Sequence, residues 1–450
     1  MLNFIGMLIF IDIIAACLSL IVGQYIHFGE LAGQLVGGYL QVLLFVSTVI
    51  MCGYFCELYT ADRRMSFAEL AARLAVSIML AFFALSAVFY AVQEIIMDRG
   101  ALSLSLLILG VLQFVMRRAC RSFQELPHLA QRVMILGVGP LAEKIEQALP
   151  LSPYNYQFAG FVQPPNDKTT VAANRIVGSI DDIEEILARE KINTLIVSMT
   201  EKRGVLPVRN LLTCKLRGVE IYDSPSFYEK LTGKLLVEDI QPSWFIYSDG
   251  FRMTPFKRVW KRVLDIVFSS MGLLIVLPIF PVVAGLIKLL SPGPVFYRQL
   301  RVGEGGCEFM LFKFRTMCND AEKETGPVWA CENDPRTTRF GKYLRKSRID
   351  EIPQLFNVLK GEMSFVGPRP ERREFVEKLS VKIPYYNKRH SIKPGVTGWA
   401  QVRYPYGSSE NDALEKLRYD LYYIKNYSIT LDLIIVLETV KVVLFGRGGR

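Results

Sequence analysis

KSRIDEIPQLFNVLKGEMSFVGPRP, from Lys346 to Pro370, sets two adjacent carboxylates, Asp350 and Glu351, among Arg345, Lys346, Arg348 and Arg369. In a chain that is otherwise membrane-like, that mixture points to phosphate chemistry at a bilayer surface. Consecutive side chains converge on one metal ion or phosphate when they stand at a helix start, where exposed N–H groups and the helix dipole favour negative charge. One carboxylate can then attack while its neighbour holds Mg²⁺. The plainer alternative is an exposed Asp-Glu pair opening an amphipathic helix, followed by a basic turn.

The wording around the pair separates these readings. Further blocks stand in order along the chain: KRVLDIVFSSMGLLIVLPIFPVV (Lys261 to Val283), GPVFYRQLRVG (Gly293 to Gly303), FKFRTM (Phe312 to Met317), KPGVTGWAQV (Lys393 to Val402) and YDLYYIKNYSITLDL (Tyr419 to Leu433). With the opening segment they resemble the catalytic region of the bacterial sugar transferases, the monotopic polyprenyl-phosphate phosphoglycosyl transferases, over roughly Lys257 to the end. The resemblance implies that Asp350 attacks the β-phosphate of a UDP-sugar and expels UMP. The phosphosugar on the enzyme then passes to polyprenol phosphate, here undecaprenyl phosphate. It also implies Mg²⁺ as cofactor and, from the large relatives, a possible homodimer.

Composition agrees with a membrane setting. The 450 residues suffice for two or three domains, and 51% are hydrophobic. A net charge of +10 suits anionic lipid headgroups and a nucleotide diphosphate. Nucleic acid is the rival partner for a basic chain, but no Cys/His finger spacing, basic helix or RNA-type aromatic motif is present, so none is expected. The eight cysteines are scattered without a C-x-x-C and read as reduced packing residues. Only His27, His128 and His390 are available for histidine chemistry.

Four apolar stretches open the chain: about Phe4 to Tyr25, Leu35 to Leu58, Leu74 to Val92 and Ala101 to Met116. A cleaved signal peptide is not expected, because no basic region precedes the first stretch and three similar ones follow. Arg63, Arg64 and Arg73 follow the second stretch, and Arg117, Arg118 and Arg121 end the fourth. The first connection, with His27 and Glu30, has no Lys or Arg, and the third has Glu94, Asp98 and only Arg99. Positive charge thus places the N-terminus and everything after Arg117 in the cytoplasm, and the resemblance implies that the membrane is the bacterial inner membrane.

Beyond a short linker around Pro127, strands and helices alternate. RVMILGVGPLAEKIEQAL offers a strand from Val133 to Leu136, then Gly137, Gly139 and Ala142, then an amphipathic helix, as in the G-x-G-x-x-A turn of a nucleotide-binding βαβ fold. Further strands are predicted at Phe158–Val162, Thr194–Ser198 and Val219–Tyr222, with helices near Asp181–Glu190, Val205–Leu216 and Pro225–Leu231. A parallel sheet follows from the alternation. The second strand ends in Val162-Gln163-Pro164-Pro165, without the acidic residue that would hold a ribose. Both a nucleotide-binding turn and a structural, Rossmann-like accessory module are open readings.

QPSWFIYSDGFRMTPF (Gln241 to Phe256) reads as a linker. After it, Lys257, Arg258, Lys261 and Arg262 stand on a short helix whose Val259, Trp260, Val263 and Leu264 can meet the bilayer interface. The run from Ile266 to Ile287 is long enough to span, yet Lys288, Arg298 and Arg301 follow it, and Pro278 and Pro281 interrupt it. A helix–break–helix that re-enters one leaflet is expected, since proline removes helix hydrogen bonds and bends the chain. An ordinary kinked span is the alternative. Relatives often carry Ser-Pro at the break, where this chain has Leu277-Pro278.

Lys313 and Arg315 alternate with Phe312 and Phe314, as on a strand with one basic face. Beside a diphosphate they would offset its charge; their plain role is surface solvation. Arg369 lies between prolines that fix the flanking φ angles, and its planar fork suits phosphate oxygens. By residue-wise carry-over Lys313, Arg345, Asp350, Glu351 and Arg369 fall on motif positions, with Asp350 as nucleophile and Glu351 as Mg²⁺ ligand or its organiser. Arg403, in RYPYG, stands where smaller relatives have Asn-Gly-Arg, and the wording looks like transferases of exopolysaccharide loci. The helical faces of Tyr419–Asn426 and Leu431–Leu444 read as core or interfacial anchors, the latter lying along the membrane.

The expected architecture is therefore four transmembrane helices (1–120), a Rossmann-like α/β domain (128–240), a linker (241–256) and a mixed α/β catalytic domain (257–450) with a re-entrant helix at about 263–288. A nucleotide-sugar dehydratase or epimerase would need a Tyr-x-x-x-Lys after the glycine turn, and the near match, Tyr154 with Phe158, lacks the lysine. A non-catalytic scaffold for an export complex would make Asp350 dispensable.

Overall fold

In the computed structural model the four apolar stretches are helices: α1 (Leu2–Phe28), α2 (Gly38–Phe55), α3 (Phe67–Ala91) and α4 (Arg99–Gln124). The structure describes residues 2–29, 38–59, 67–92, 97–124, 130–152, 155–165, 167, 169–199, 206–240, 242–318, 334–404, 407 and 409–444. Glu30, Arg63, Arg64, Glu94, Pro127, Tyr154, Pro405, Tyr406 and the side chain of Arg121 lie outside the described residues, and so do the expectations attached to them. The chain divides into two units, Met1–Thr232 and Gly233–Arg450.

In the first unit all four helices are long and apolar enough to cross a membrane. Their core is Ala16, Leu20, Phe45, Leu85, Leu102, Leu106 and Leu109, while Phe10, Leu43, Phe83 and Leu107 stay exposed on the outside. An apolar exterior is costly in water and costs nothing in lipid. One polar knot lies inside. Arg117 donates from Nη1 and Nη2 to Asp12 Oδ1 (3.0 Å) and Oδ2 (2.8 Å), and the Tyr59 hydroxyl donates to Oδ2 at 2.7 Å.

The same unit continues as β1 (Gln131–Leu136), α5 (Pro140–Ala148), β2 (Tyr156–Gln163), β3 (Ile176–Ser179), α6 (Ile183–Arg189), β4 (Thr194–Val197), α7 (Val208–Leu216), β5 (Glu220–Asp223) and α8 (Ser224–Thr232). The five strands form one parallel sheet in the order β3-β2-β1-β4-β5. Val133 to Leu136 and Leu195 to Ile196 are wholly buried, the unbroken apolar run of a strand covered on both faces. β3 was not foreseen: it is a four-residue edge strand, and its half-buried pattern gives no alternation to read. Gly137, at φ +134°, must be glycine, because a Cβ there would lie 2.3 Å from the Ser198 carbonyl oxygen. Pro140 occupies the first position of α5, where a missing N–H is harmless, and Ala142, two residues on, is buried.

The second unit holds α9 (Pro242–Tyr247), α10 (Pro255–Val276), α11 (Ile279–Leu290), β6 (Phe296–Val302), β7 (Glu308–Phe314), α12 (Arg339–Lys346), α13 (Gln354–Lys360), β8 (Ser364–Val366), α14 (Arg373–Lys382), β9 (Gly395–Thr397), α15 (Trp399–Arg403), α16 (Glu410–Lys425) and α17 (Ile429–Leu444). β6 and β7 form an antiparallel hairpin, and β8 pairs with β9 in parallel. The main core gathers Leu235, Val237, Val366, Trp399, Leu421, Tyr423 and Ile435. The segment 241–256, expected as a linker, carries α9, and its Trp244, Phe245, Phe251 and Met253 pack against that core. Aromatic area of this size gains more by burial than a free tether would keep.

α10 and α11 meet at 63°, with the break at Leu277-Pro278; Pro281 falls in the first turn of α11. At the elbow Met271, Leu274, Ile275 and Leu277 are more than half exposed. The basic residues of α10 do more than line an interface. Lys261 is buried, with its Nζ 3.0 Å from Asp432 Oδ2, and Arg262 donates to the Val358 and Leu359 carbonyls that end α13, both at 2.6 Å. Asp432, which looked like an interruption of an apolar run, is the buried counter-charge of Lys261.

Candidate active site

The two carboxylates stand on a single 3₁₀ turn, Ile349–Glu351, ahead of α13. The turn is reached through Arg348, whose φ of +60° lies in the left-handed region that a non-glycine residue seldom occupies. This reversal carries the chain from the basic end of α12 into the carboxylates. Beneath the turn Phe280, Val283, Ile287, Phe314, Leu344, Ile349 and Ile352 pack together, so α11, β7 and α12 share one floor. Burying a Phe or Leu there contributes about 1.5–3 kcal/mol each. Asn357, wholly buried, ties α13 to β7: its Nδ2 donates to the Met310 carbonyl (2.7 Å), and its Oδ1 accepts from the Phe312 N–H (3.2 Å). That tie brings Lys313, one residue on, beside the acidic turn.

Glu351 is gripped by three cations. Its Oε1 accepts from Lys313 Nζ at 3.0 Å and from Arg369 Nη2 at 2.7 Å, and Arg348 Nη1 lies 3.7 Å from Oε2. Burial works against its charge, but Arg369, Lys313 and Arg348 together overcome that and hold the carboxyl well below the usual carboxylate range. Arg369 is in turn raised by Glu351, and Lys313 is lowered by its burial. Asp350 is the opposite case. Only 8% exposed, it accepts no hydrogen bond among the described residues. Burial pushes its carboxyl up to about 6, with Lys313 opposing and the negative Glu351 adding to the rise. The turn therefore presents one firmly ionised carboxylate gripped through Oε1 and, among the described residues, one unbonded carboxylate, both in a field of cations.

The other expected residues are distributed around this centre. Arg345 donates to the Thr316 and Thr337 hydroxyls at 3.0 and 3.2 Å and acts on Asp350 through space. Arg315 turns elsewhere: its guanidinium donates to the Ser291 and Pro292 carbonyls at 2.6 and 2.7 Å and closes the exit of α11. β7 ends at Phe314, so the strand alternation that paired Arg315 with Lys313 stops one residue too early. Arg403 is exposed and stacks on Trp399, 4.4 Å from the ring centroid. Gly137, Gly139 and Ala142 belong to the first unit, the glycines at the turn between β1 and α5 and Ala142 in the first turn of α5. Sequence reasoning missed Arg389 and Asp420, a buried pair at 2.8 Å. A lone aspartate in an aromatic stretch, YDLYY, was the available signal.

Residues 256–446 match the family described as bacterial sugar transferase. The chain is similar to a UDP-N-acetylgalactosamine-undecaprenyl-phosphate N-acetylgalactosaminephosphotransferase of Aeromonas hydrophila, 41% identical over 54% of this chain and 56% of that protein. It is also similar to a UDP-glucose:undecaprenyl-phosphate glucose-1-phosphate transferase of Xanthomonas campestris pv. campestris, 34% identical over 69% of this chain and 66% of that protein. The chain thus spans a little over half to about two thirds of the length of these two relatives. The Exopolysaccharide production protein PSS of Rhizobium leguminosarum bv. phaseoli is 42% identical over 40% of this chain and 94% of that protein. With nearly the whole of that protein matched, and the acidic turn and its cations within residues 256–446 that match the family, the chain belongs to the bacterial sugar transferase family.

Proposed function

We propose that the protein transfers a sugar-1-phosphate from a UDP-sugar to undecaprenyl phosphate and so starts a lipid-linked glycan such as an exopolysaccharide. The observation that carries this reading is the buried carboxylate of Asp350, free of hydrogen bonds from the described residues and in the field of Lys313, Arg345 and Arg369. A carboxylate with no donor on it keeps its lone pairs for an electrophile, and the cations offset the charge of an approaching diphosphate. An Asp350 oxygen attacks the β-phosphorus, the bond to the bridging oxygen breaks, and UMP leaves with that electron pair. A phosphate oxygen of undecaprenyl phosphate next attacks the same phosphorus, and the acyl-phosphate bond breaks to restore the carboxylate. Glu351 stays ionised throughout and holds Arg369 and Lys313 towards the reacting phosphate.

Mg²⁺ suits the oxygen donors present. Among the described residues Glu351 Oε2 has only the distant Arg348 contact, and neither Asp350 oxygen accepts a hydrogen bond. Among the described residues no three Asp, Glu, His or Cys side chains gather, so diphosphate and water would complete the shell, as Mg²⁺ prefers. Bound there, the ion would neutralise the diphosphate and the leaving UMP.

In the same reading α1–α4 cross the bacterial inner membrane with the N-terminus and both globular parts in the cytoplasm, where UDP-sugars are made. Arg73 at the start of α3 and Arg117 and Arg118 at the end of α4 support this orientation. The 63° bend and the exposed apolar elbow support α10–α11 as a re-entrant pair. The strand order of the sheet supports a Rossmann-like accessory domain. The deciding experiment is Asp350→Asn, assayed for UMP release from a panel of UDP-sugars and for labelled sugar in the extracted lipid, with and without chelator. Transfer that persists in the variant rules the mechanism out. Reporter fusions at the two ends test the orientation, and activity of a periplasmic C-terminal reporter would refute it.

A further inference from the structure

The segment from Val366 to Glu371, which carries Arg369, is held by its backbone at every residue. Lys261 Nζ and the Tyr423 hydroxyl donate to the Val366 carbonyl at 2.9 and 3.2 Å. The Gly367 N–H donates to the Thr397 carbonyl, and the Pro368 carbonyl accepts from the Gly395 N–H, both at 2.8 Å. Arg389 Nη2 donates to the Arg369 carbonyl at 3.0 Å, Arg301 Nη1 to the Pro370 carbonyl at 3.2 Å, and the Val302 N–H to the Glu371 carbonyl at 2.9 Å. Three of these donors are cations, and each has its own carboxylate: Lys261 with Asp432 at 3.0 Å, Arg389 with Asp420 at 2.8 Å and Arg301 with Glu371 at 3.6 Å.

Arg389 is the most deeply engaged with the reacting centre. Arg389 is 5% exposed, and Asp420 is 2% exposed. Nη1 donates to the Tyr386 hydroxyl at 2.6 Å, and Nη2 to Asp420 Oδ2 at 2.8 Å, which fixes the plane that Nη2 then presents to the Arg369 carbonyl. Burying two charges for stability alone gains little over well-packed apolar groups. What a planar, doubly anchored fork supplies is direction. Arg369 itself is half-buried, and its long side chain reaches Glu351 only as accurately as its backbone is placed.

We infer that Arg389, oriented by Asp420 and Tyr386, is a positioning residue for Arg369 in the transfer step. The inference rests on the proposed phosphoglycosyl transfer and names which residues outside the acidic turn keep its cation in register. A displacement of about 1 Å at a group that stabilises the transition state costs on the order of 100-fold in rate.

The test uses the full-length protein in detergent or nanodiscs, with UMP release from a UDP-sugar panel and melting followed in parallel. Asp420→Asn is expected to lower kcat by about 10- to 100-fold while the donor KM stays within about twofold, the split of a group acting only in the transition state. Tyr386→Phe, which removes one hydroxyl, is expected to fold as the parent does and to lower kcat by a few-fold. In an Arg369→Lys background the Tyr386→Phe effect is expected to disappear, because both changes spend the same alignment. If Asp420→Asn does not fold, Tyr386→Phe and its cycle with Arg369→Lys decide the matter alone. Parent-like kcat in the folded variants, or full additivity in the cycle, overturns the inference and leaves the transferase reading intact. A parent protein that releases no UMP from any donor overturns that reading, and the inference falls with it.

Discussion

Two buried carboxylates, one in the four-helix region and one in the transferase unit, sit beside arginines to opposite effect. Asp12 accepts from Arg117 twice and from Tyr59 once, and Arg117 also reaches the Leu58 carbonyl, so the group is closed on itself. Asp350 has cations around it but, among the described residues, no donor on it; those contacts go to its neighbour Glu351. A carboxylate whose lone pairs are filled holds helices together. One left open in a cationic, partly desolvated turn keeps its reactivity and bears the cost of burial. Proximity of acid to base does not separate these cases, and the hydrogen-bond count does.

The contrast can be broken most directly at Asp350. Exchange for asparagine is expected to lower transfer by at least about 1,000-fold, as for an essential nucleophile, without lowering the melting temperature. A residual rate near that of the parent would make Asp350 as structural as Asp12. Asp12→Asn should do the converse: it leaves Arg117 uncompensated and is expected to cost about 3–5 kcal/mol of stability, with UMP release per folded molecule unchanged. Lost turnover in a protein that melts normally would contradict the assignment. Glu351→Gln sharpens the comparison within the turn. It removes the counter-charge of Lys313 and Arg369, and a fall of about 100-fold in kcat is expected, read from initial rates of UMP release.

The smallest effect is in pH. Burial pushes the Asp350 carboxyl up to about 6, and in the proposed mechanism only its ionised form attacks. Transfer should therefore rise with pH to a plateau above that value and fall about tenfold per unit below it. The stability sign is the reverse. A carboxyl raised in the folded state favours the fold below its unfolded value, and that contribution is lost as pH rises through about 6. Asp350→Asn should thus melt slightly higher than the parent at pH 7 and match it near pH 4; equal melting at both would mean the burial strain is absent.

Much of this was legible along the chain. The four membrane-capable helices, four of the five parallel strands and the elbow at Pro278 follow from runs of apolar residues, their period and the punctuation of glycine and proline, which are local properties. The wording around Asp350 and Glu351 carried the family before any coordinate did. Local order could not show which oxygen is filled. Arg315 and Lys313 share a strand pattern, yet one closes the exit of α11 and the other grips Glu351. Lys261 and Asp432 are 171 residues apart and looked like an interfacial charge and a break in an apolar run. Asp420 stood inside a quoted block, YDLYYIKNYSITLDL, but nothing in its wording paired it with Arg389, 31 residues earlier. Hydrophobic pattern is written residue by residue, because burial needs only to know inside from outside. A hydrogen bond needs a partner at about 3 Å with the right direction, and partners distant in sequence meet only when the packed fold brings them together.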